Sequence, residues 1–171
     1  MVKKFQIAPY LNSAIDDETG LVDKLDPVWT RICKTETFDL NMNPETEERD
    51  YIADELPTTE LKDYNPSFST PLVMHETEDD YGFIFDKFFE VETGEKAKSE
   101  ILLVFYQQPV DGNDEPSHFA AWRCDCTLSI SDLNSVDSTI TFDTNFNGEV
   151  TKGYVTISDG AISDFTEGDY S

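Results

Sequence analysis

Three stretches of this sequence alternate regularly between apolar and polar residues, and that period of two restricts the fold more than any other feature. They are residues 35–43, the end of the strand-like run 118–131 (from Thr127), and residues 138–143. Side chains along a β-strand point alternately to the two faces of a sheet, so each stretch predicts a strand with one buried face. The positions expected to face a core are Phe38, Leu40, Met42, Leu128, Ile130, Ile140 and Phe142.

Three further stretches also have the composition of strands. Residues 68–75 contain Pro71, which favours an edge position because proline has no backbone N–H to donate. Residues 99–107 are apolar at consecutive positions, which indicates a central strand that is buried on both faces. Residues 149–158 follow Asn147-Gly148, a dipeptide typical of tight turns, and are expected to return as a hairpin partner of the preceding strand.

One segment has helical periodicity instead. Its apolar residues recur at i, i+3, i+4, i+7 and i+8, which places Tyr81, Ile84, Phe85, Phe88 and Phe89 on one helical face. We expect this stripe to pack on a sheet. Thr77 is the expected N-terminal cap, and Gly94 is the expected terminator. One helix beside at least six strands predicts a mainly β fold: a β-sandwich or open barrel with one flanking helix, in a single domain over residues 1–171.

Two segments do not fit the strand pattern. Residues 1–34 are weakly patterned and interrupted by Pro27, so we expect a short helix or turn that packs Trp29 on the body. Residues 44–67 contain three prolines, show no period of two, and are longer than the usual connection in a compact domain. Their scattered apolar residues predict an arm that orders against another surface. These residues are Tyr51, Ile52, Leu56, Leu61 and Tyr64.

The charge balance excludes several classes of function. The chain has 36 acidic and 12 basic residues, a net charge of −24. A general binder of nucleic-acid phosphate needs clustered lysine and arginine, and docking on anionic lipid needs the same. Aromatic residues make up 12% of the chain, whereas disordered acidic chains are poor in them, so the chain should fold around a core.

The sequence contains no recognisable chemical site. It has no nucleophile motif, no glycine-rich phosphate loop and no zinc-protease motif, and its two histidines are His75 and His118. We therefore predict no catalytic residue and no cofactor. Cys33, Cys124 and Cys126 are expected to be reduced, and the last two fit small apolar strand residues better than zinc ligands.

One short run partly matches a calcium loop. Asp143, Asn145, Asn147 and Gly148 have the spacing of its first half, but Tyr154 stands where the bidentate acid belongs. A hairpin turn explains these residues better, so no metal is predicted. No apolar run reaches the length of a signal peptide or a membrane span, so the chain is expected to stay in a cytosol or to leave it by a route other than secretion.

The order of these elements resembles the tail tube (major tail) proteins of long, flexible-tailed bacteriophages. A polar-faced strand leads into an acidic arm that carries Asp-Tyr-Ile-Ala-Asp-Glu at 50–55 and closes on Tyr-Asn-Pro-Ser-Phe at 64–68. A helix, Thr93-Gly94, a strand near Glu100 and a terminal set of alternating strands follow. The resemblance covers most of residues 35–160. Contractile-tail and type VI secretion tube proteins are related to this family.

The resemblance implies a structural protein without enzymatic activity. Subunits of this family form hexameric rings that stack into a hollow tube, and DNA passes through the tube without specific binding. Their arm bridges neighbouring subunits, and their inner strands close into one barrel around the lumen. The implied partners are other copies of the chain and the tape measure and tail terminator or tip proteins. The implied location is the virion tail, assembled in the bacterial host cytoplasm.

The polar faces of the alternating strands are the predicted lumen wall. The candidate residues are Thr37, Asp39, Asn41, Thr127, Ser129, Thr139, Thr141 and Asp143. In a monomer the same face would simply meet bulk water. The net charge also fits an alternative function, a monomeric acidic binding module such as a DNA mimic or an inhibitor of a basic protein. The semi-apolar arm favours the tube, because a compact acidic surface has no need of it.

Overall fold

The computed structural model describes residues 1–3, 6–112 and 116–168. Within them the chain is mainly β, with one α-helix, which confirms the predicted fold class. The strands are β1 (Ile7–Asn12), β2 (Trp29–Arg31), β3 (Pro44–Arg49), β4 (Thr58–Tyr64), β5 (Ser67–Val73), β6 (Lys98–Pro109), β7 (His118–Asn134), β8 (Thr139–Ser158) and β9 (Ala161–Glu167). Helix α1 is Asp79–Phe89, and Gly94–Ala97 forms a 3-10 turn before β6.

Seven strands form one antiparallel sheet that curls into a nearly closed barrel. The strand order is β2-β1-β6-β7-β8-β5, and β9 also pairs with β8. Strand β8 is 20 residues long and pairs with β7 along most of its length. Its first half carries β5 on the other side and its second half carries β9. The sheet therefore forks along β8.

The forked sheet buries apolar residues on both of its faces. The main core lies inside the barrel and consists of Leu11, Ile32, Phe68, Leu72, Ile84, Ile101, Leu103, Cys124, Cys126, Leu128, Ile140, Phe142 and Phe146. A second cluster on the opposite face consists of Ala8, Tyr10, Leu102, Val104, Ala121 and Val155, with Phe165 of β9 packed against it. Strand β6 contributes alternate residues to each cluster, which confirms that it is a central strand buried on both faces.

Residues 35–43 do not form the predicted strand. Alternation of exposure is kept, but only two isolated bridges join the segment to β5, at Thr35–Leu72 and Asn41–Ser67. On this side of β5, Val73 donates its N–H to Lys34 and Ser67 donates to Asn41. Pro71 occupies an intermediate position on the same side and has no N–H, so a continuous ladder cannot form.

The predicted turn at Asn147-Gly148 is also wrong, because β8 runs through it. Asp125 pairs with Asn147 and Arg123 pairs with Thr151, so extra residues of β8 lie opposite Cys124 as a bulge. Gly148 has φ 75, a conformation that glycine adopts without steric cost. The two strands predicted to pair with one another are instead halves of one strand that both pair with β7.

The opening segment contains strands rather than the helix or turn that we predicted. Strand β1 is almost fully buried between β2 and β6. Trp29 lies in the short edge strand β2, where the Arg123 guanidinium packs 5.3 Å from its ring centroid. The buried run of β1 contains Pro9 and is only six residues long, so the sequence pattern did not identify it.

A buried polar network holds the loop between β1 and β2 against the sheet. Arg123 donates two hydrogen bonds to the Glu100 carboxylate at 2.8 and 2.9 Å and a third to the carbonyl oxygen of Lys24. Asn12, which is fully buried, donates to Glu100 and to the carbonyl oxygen of Asp23. Because nearly every member is hydrogen-bonded, the burial of the Glu100 charge is compensated.

Helix α1 is present where the periodicity predicts it, but its caps and its buried face differ. Its N-cap is Glu78 rather than Thr77, and it ends well before Gly94. Of the predicted stripe only Ile84 is fully buried, while Phe88 is 38% exposed and Phe89 is 69% exposed. The prediction that Phe88 is a core residue is therefore wrong.

Two buried charged residues explain the orientation of α1. Asp80 accepts hydrogen bonds from the backbone N–H groups of Cys33 and Lys34. Lys87 donates to the Glu92 carboxylate at 2.9 Å and to the carbonyl oxygen of Lys96 at 2.8 Å. These bonds turn Asp80 and Lys87 toward the body and rotate part of the aromatic stripe toward solvent.

Substitutions in α1 should separate the buried residue from the exposed one. Ile84→Ala removes a side chain with no exposed surface and should lower the free energy of unfolding by about 2–5 kcal/mol. Phe88→Ala should lower it by about 1 kcal/mol or less, because much of the ring already meets water. Urea unfolding of both variants measures the difference. Equal losses would contradict this packing of α1.

Candidate assembly surfaces

Residues 44–64 form a β-hairpin that stands apart from the barrel, and we call this segment the hairpin. Strands β3 and β4 pair only with each other, as a separate two-stranded sheet, from Pro44–Tyr64 at the base to Arg49–Thr58 near the tip. The prediction of an arm without strands is therefore wrong in its secondary structure. Its polar, acidic strands contain no apolar alternation, because neither face packs on a core.

Every residue of the hairpin is exposed except Glu47, which is half-buried. The predicted arm residues Tyr51, Ile52, Leu56, Leu61 and Tyr64 are all among its exposed apolar side chains. Ile52 is fully exposed and Leu56 is 77% exposed, and both lie in the tip, residues 50–57. Exposed apolar groups collected at the end of a projection are typical of a contact with another molecule.

The contacts within the hairpin are weak. Glu47 pairs with Arg49 and Lys62, and Arg49 also pairs with Glu60, all through side chains that are about half exposed. Hydrogen bonds to Tyr51 and Glu47 raise the pKa of Arg49, which stays charged in any case. Exposed ion pairs contribute little, and an isolated two-stranded hairpin is at best marginally stable in water. The hairpin therefore lacks the buried surface that would fix its position.

A second apolar surface lies on α1, and we call it the aromatic face: the exposed Phe88 and Phe89 with the half-buried Tyr81 and Phe85. Their rings contact one another, with centroids 5.6 Å apart for Tyr81–Phe85, 5.9 Å for Phe85–Phe88 and 6.1 Å for Phe85–Phe89. Acidic residues flank this surface, since Asp86 and Glu90 are both exposed. The sequence located these rings on one helical face but did not show that the face is exposed.

The outer face of β5, β7 and β8 is polar. The pairing aligns Ser69, Asp143 and Ser129 in one row and Ser67, Asn145 and Thr127 in the next. Asn41 extends the second row through its bridge to Ser67. The face thus brings together six of the lumen candidates: Asn41, Thr127, Ser129, Thr139, Thr141 and Asp143. The other two candidates, Thr37 and Asp39, lie elsewhere, at the cavity described next.

The seam of the nearly closed barrel contains an open cavity of about 800 Å³. It lies between strands β1 and β6 on one side and residues 35–40 on the other. Its apolar wall includes Ile7, Pro9, Phe38, Leu40, Leu103 and Phe105. Lys3 and Arg31 also line it, together with Cys33 and the acids Glu36 and Asp39. No sequence pattern indicates this cavity, because its walls come from distant segments.

Serine, histidine and aspartate side chains meet before β7, but not in the order of a catalytic relay. Asp111 accepts hydrogen bonds from the backbone N–H and the hydroxyl of Ser117. His118 Nδ1 lies 3.2 Å from the Asp111 carboxylate and 3.0 Å from Ser117 Oγ. A relay needs the serine on one ring nitrogen and the carboxylate on the other, so this arrangement orders the turn instead.

The cysteines occupy two different environments. Cys124 and Cys126 are buried in the barrel core, where burial raises the pKa of both thiols and keeps them protonated. Their position confirms the prediction of small apolar strand residues. Cys33 is exposed beside the cavity. In the described ranges, no group of three histidine, cysteine, aspartate or glutamate side chains is placed to hold a metal ion.

Neither a family model nor a curated protein matches the sequence. Among the residues that the structure describes, no helix is long and apolar enough to cross a membrane. Four surfaces are candidates for function: the hairpin, the aromatic face, the polar face and the cavity.

Hydrogen exchange should identify the hairpin as the least stable ordered part of the free chain. Amides of residues 44–64 should exchange much faster than those of β6, β7 and β8, because no buried contact opposes their opening. Exchange followed by mass spectrometry of a dilute sample measures both sets together. Similar protection of the hairpin and the central strands would contradict the weak internal contacts described above.

Proposed function

We propose that this chain is a structural subunit that self-assembles into the hollow tail tube of a long-tailed bacteriophage, in stacked rings through which DNA is ejected. The hairpin carries the proposal. It projects from a folded barrel, keeps nearly all of its surface exposed, and presents apolar side chains at its tip. A copy of the same chain is the partner that the resemblance implies for such an arm.

The open edges of the sheet support assembly as well. Strand β2 ends the strand order and β9 pairs on one side only, whereas residues 34–41 already cover part of the β5 edge. Exposed strand edges pair readily with other chains unless they are covered. In the proposed tube, strands of neighbouring subunits would pair with these edges and so cover them.

The polar outer face of β5, β7 and β8 supports the assignment of a lumen wall. Its side chains are hydroxyls, amides and carboxylates, which remain hydrated beside a moving DNA backbone. Asp143 lies in the middle of this face, paired with Ser69 and Ser129. Repeated around a ring, it would repel phosphate and keep DNA from adhering.

Removal of the hairpin should separate assembly from folding. Glu45 and Asp63 pair across the hairpin, so residues 46–62 can be replaced by Asn-Gly, which closes a two-residue turn. Because the deleted residues contribute almost nothing to the core, the variant should keep the melting temperature of the intact chain. Negative-stain imaging should then show no rings or tubes. A folded variant that still forms normal tubes would refute the role of the hairpin.

Salt should strengthen self-association. Copies with a net charge of −24 repel one another, and the screening length falls from roughly 30 Å at 0.01 M salt to about 10 Å at 0.1 M. Sedimentation should therefore show larger species as salt rises. A chain that stays monomeric at every salt concentration, and binds a basic protein more weakly as salt rises, would support the acidic binding module instead.

A charge reversal on the polar face tests the lumen assignment. Asp143→Lys should change the free energy of folding by only about 0.5 kcal/mol, since surface substitutions are usually mild. It should slow DNA ejection from particles that carry it, and high salt should relieve the effect. Asp86→Lys, the same change on the exposed side of α1, is the matched control. Equal ejection rates for both variants would contradict the assignment.

A further inference from the structure

We infer that the cavity at the barrel seam receives the tip of the hairpin from a neighbouring copy of the chain. The inference rests on the proposed self-assembly and names the surfaces that would carry it. One surface is the tip with Ile52 and Leu56. The other is the cavity of about 800 Å³ lined by β1, β6 and residues 35–40.

The two surfaces match in chemistry. Ile52 and Leu56 are the most exposed apolar side chains of the hairpin, and the cavity offers an apolar wall of Pro9, Leu40 and Phe105, among others. A site that encloses an apolar anchor yields more free energy than a flat contact, because both surfaces lose their water. The cavity is open to solvent, so a projecting apolar side chain can reach its apolar wall.

The charges of the two surfaces do not oppose this contact. The tip carries Asp50, Asp54 and Glu55 beside its apolar residues. In the cavity lining, Lys3 and Arg31 balance the acids Glu36 and Asp39. The aromatic face of α1 is the competing receptor, but its exposed neighbours Asp86 and Glu90 would repel an acidic tip. The balanced charges of the cavity therefore repel an acidic tip less than the aromatic face does.

The contact must form between molecules. Ile52 is fully exposed, so nothing in its own chain covers it. The tip and the cavity are different surfaces, and each copy can insert its tip into one neighbour while receiving a tip from another. Such a heterologous contact builds rings or filaments when it is repeated. Reciprocal exchange between two copies would instead stop at a dimer.

A native cysteine allows a direct test, because Cys33 lines the cavity and is exposed. Ile52→Cys adds a single thiol at the tip, while Cys124 and Cys126 remain buried. Assembled protein is treated with a mild thiol oxidant and resolved on a non-reducing gel. Tip-to-cavity contact should produce a ladder of dimers, trimers and larger species, because each subunit can then form one disulfide through position 52 and another through Cys33.

Three controls make the ladder specific. Val136→Cys places an equally exposed thiol in the turn between β7 and β8 and should give no ladder. Ile52→Cys combined with Cys33→Ser should give no species beyond a dimer, since only position 52 remains reactive. Ile52→Cys and Phe89→Cys together, in the Cys33→Ser background, test the aromatic face of α1 as the receptor.

The outcomes distinguish this inference from the proposed function. Tubes that form normally without a ladder through Cys33, or with a ladder through Phe89→Cys, would overturn the cavity assignment and leave the tube intact. A ladder that stops at dimers would overturn the head-to-tail contact. Absence of any assembly at all salt concentrations would overturn the proposed tube and this contact together.

Discussion

The pairing of one long strand, β8, with β7 is the interaction on which the rest of the fold depends. The bulge at Gly148 lets β8 continue past the point where a turn would have ended it. Its first half then pairs with β5 and its second half pairs with β9, so this one strand contributes residues to both apolar clusters. Two shorter strands joined by a turn would give a simple hairpin and leave one of these clusters without a cover.

The sequence predicted the elements in which burial sets the local order of apolar and polar residues. Strand β6, the edge strand with Pro71 and the position of α1 followed from local pattern, as did the mainly β class. The errors occurred where tertiary contacts override that pattern. Asn147-Gly148 forms a bulge because β7 pairs on both sides of it, and residues 35–43 alternate without a ladder because Pro71 faces them.

The candidate surfaces were harder to predict than the core, for a physical reason. The five apolar residues of the arm were recognised because they are unusual in an acidic, proline-containing segment. The exposure of Phe88 and Phe89 was missed because Asp80 and Lys87, which turn α1, look like ordinary charged residues in the sequence. The cavity joins Pro9, Leu40 and Phe105, and only the closed topology brings these distant residues together.

The hairpin and the net charge impose opposite tendencies on the proposed subunit. A charge of −24 keeps dilute copies apart, and it acts over the whole molecule within the screening length. The apolar tip and the cavity act only on contact, so they stabilise a complex without speeding the first encounter. An assembly governed by charge repulsion and by the contact of tip and cavity would form slowly from single subunits. It would hold together once several tips are bound in cavities. In the proposed tail tube, slow spontaneous nucleation would confine growth to the ends already begun.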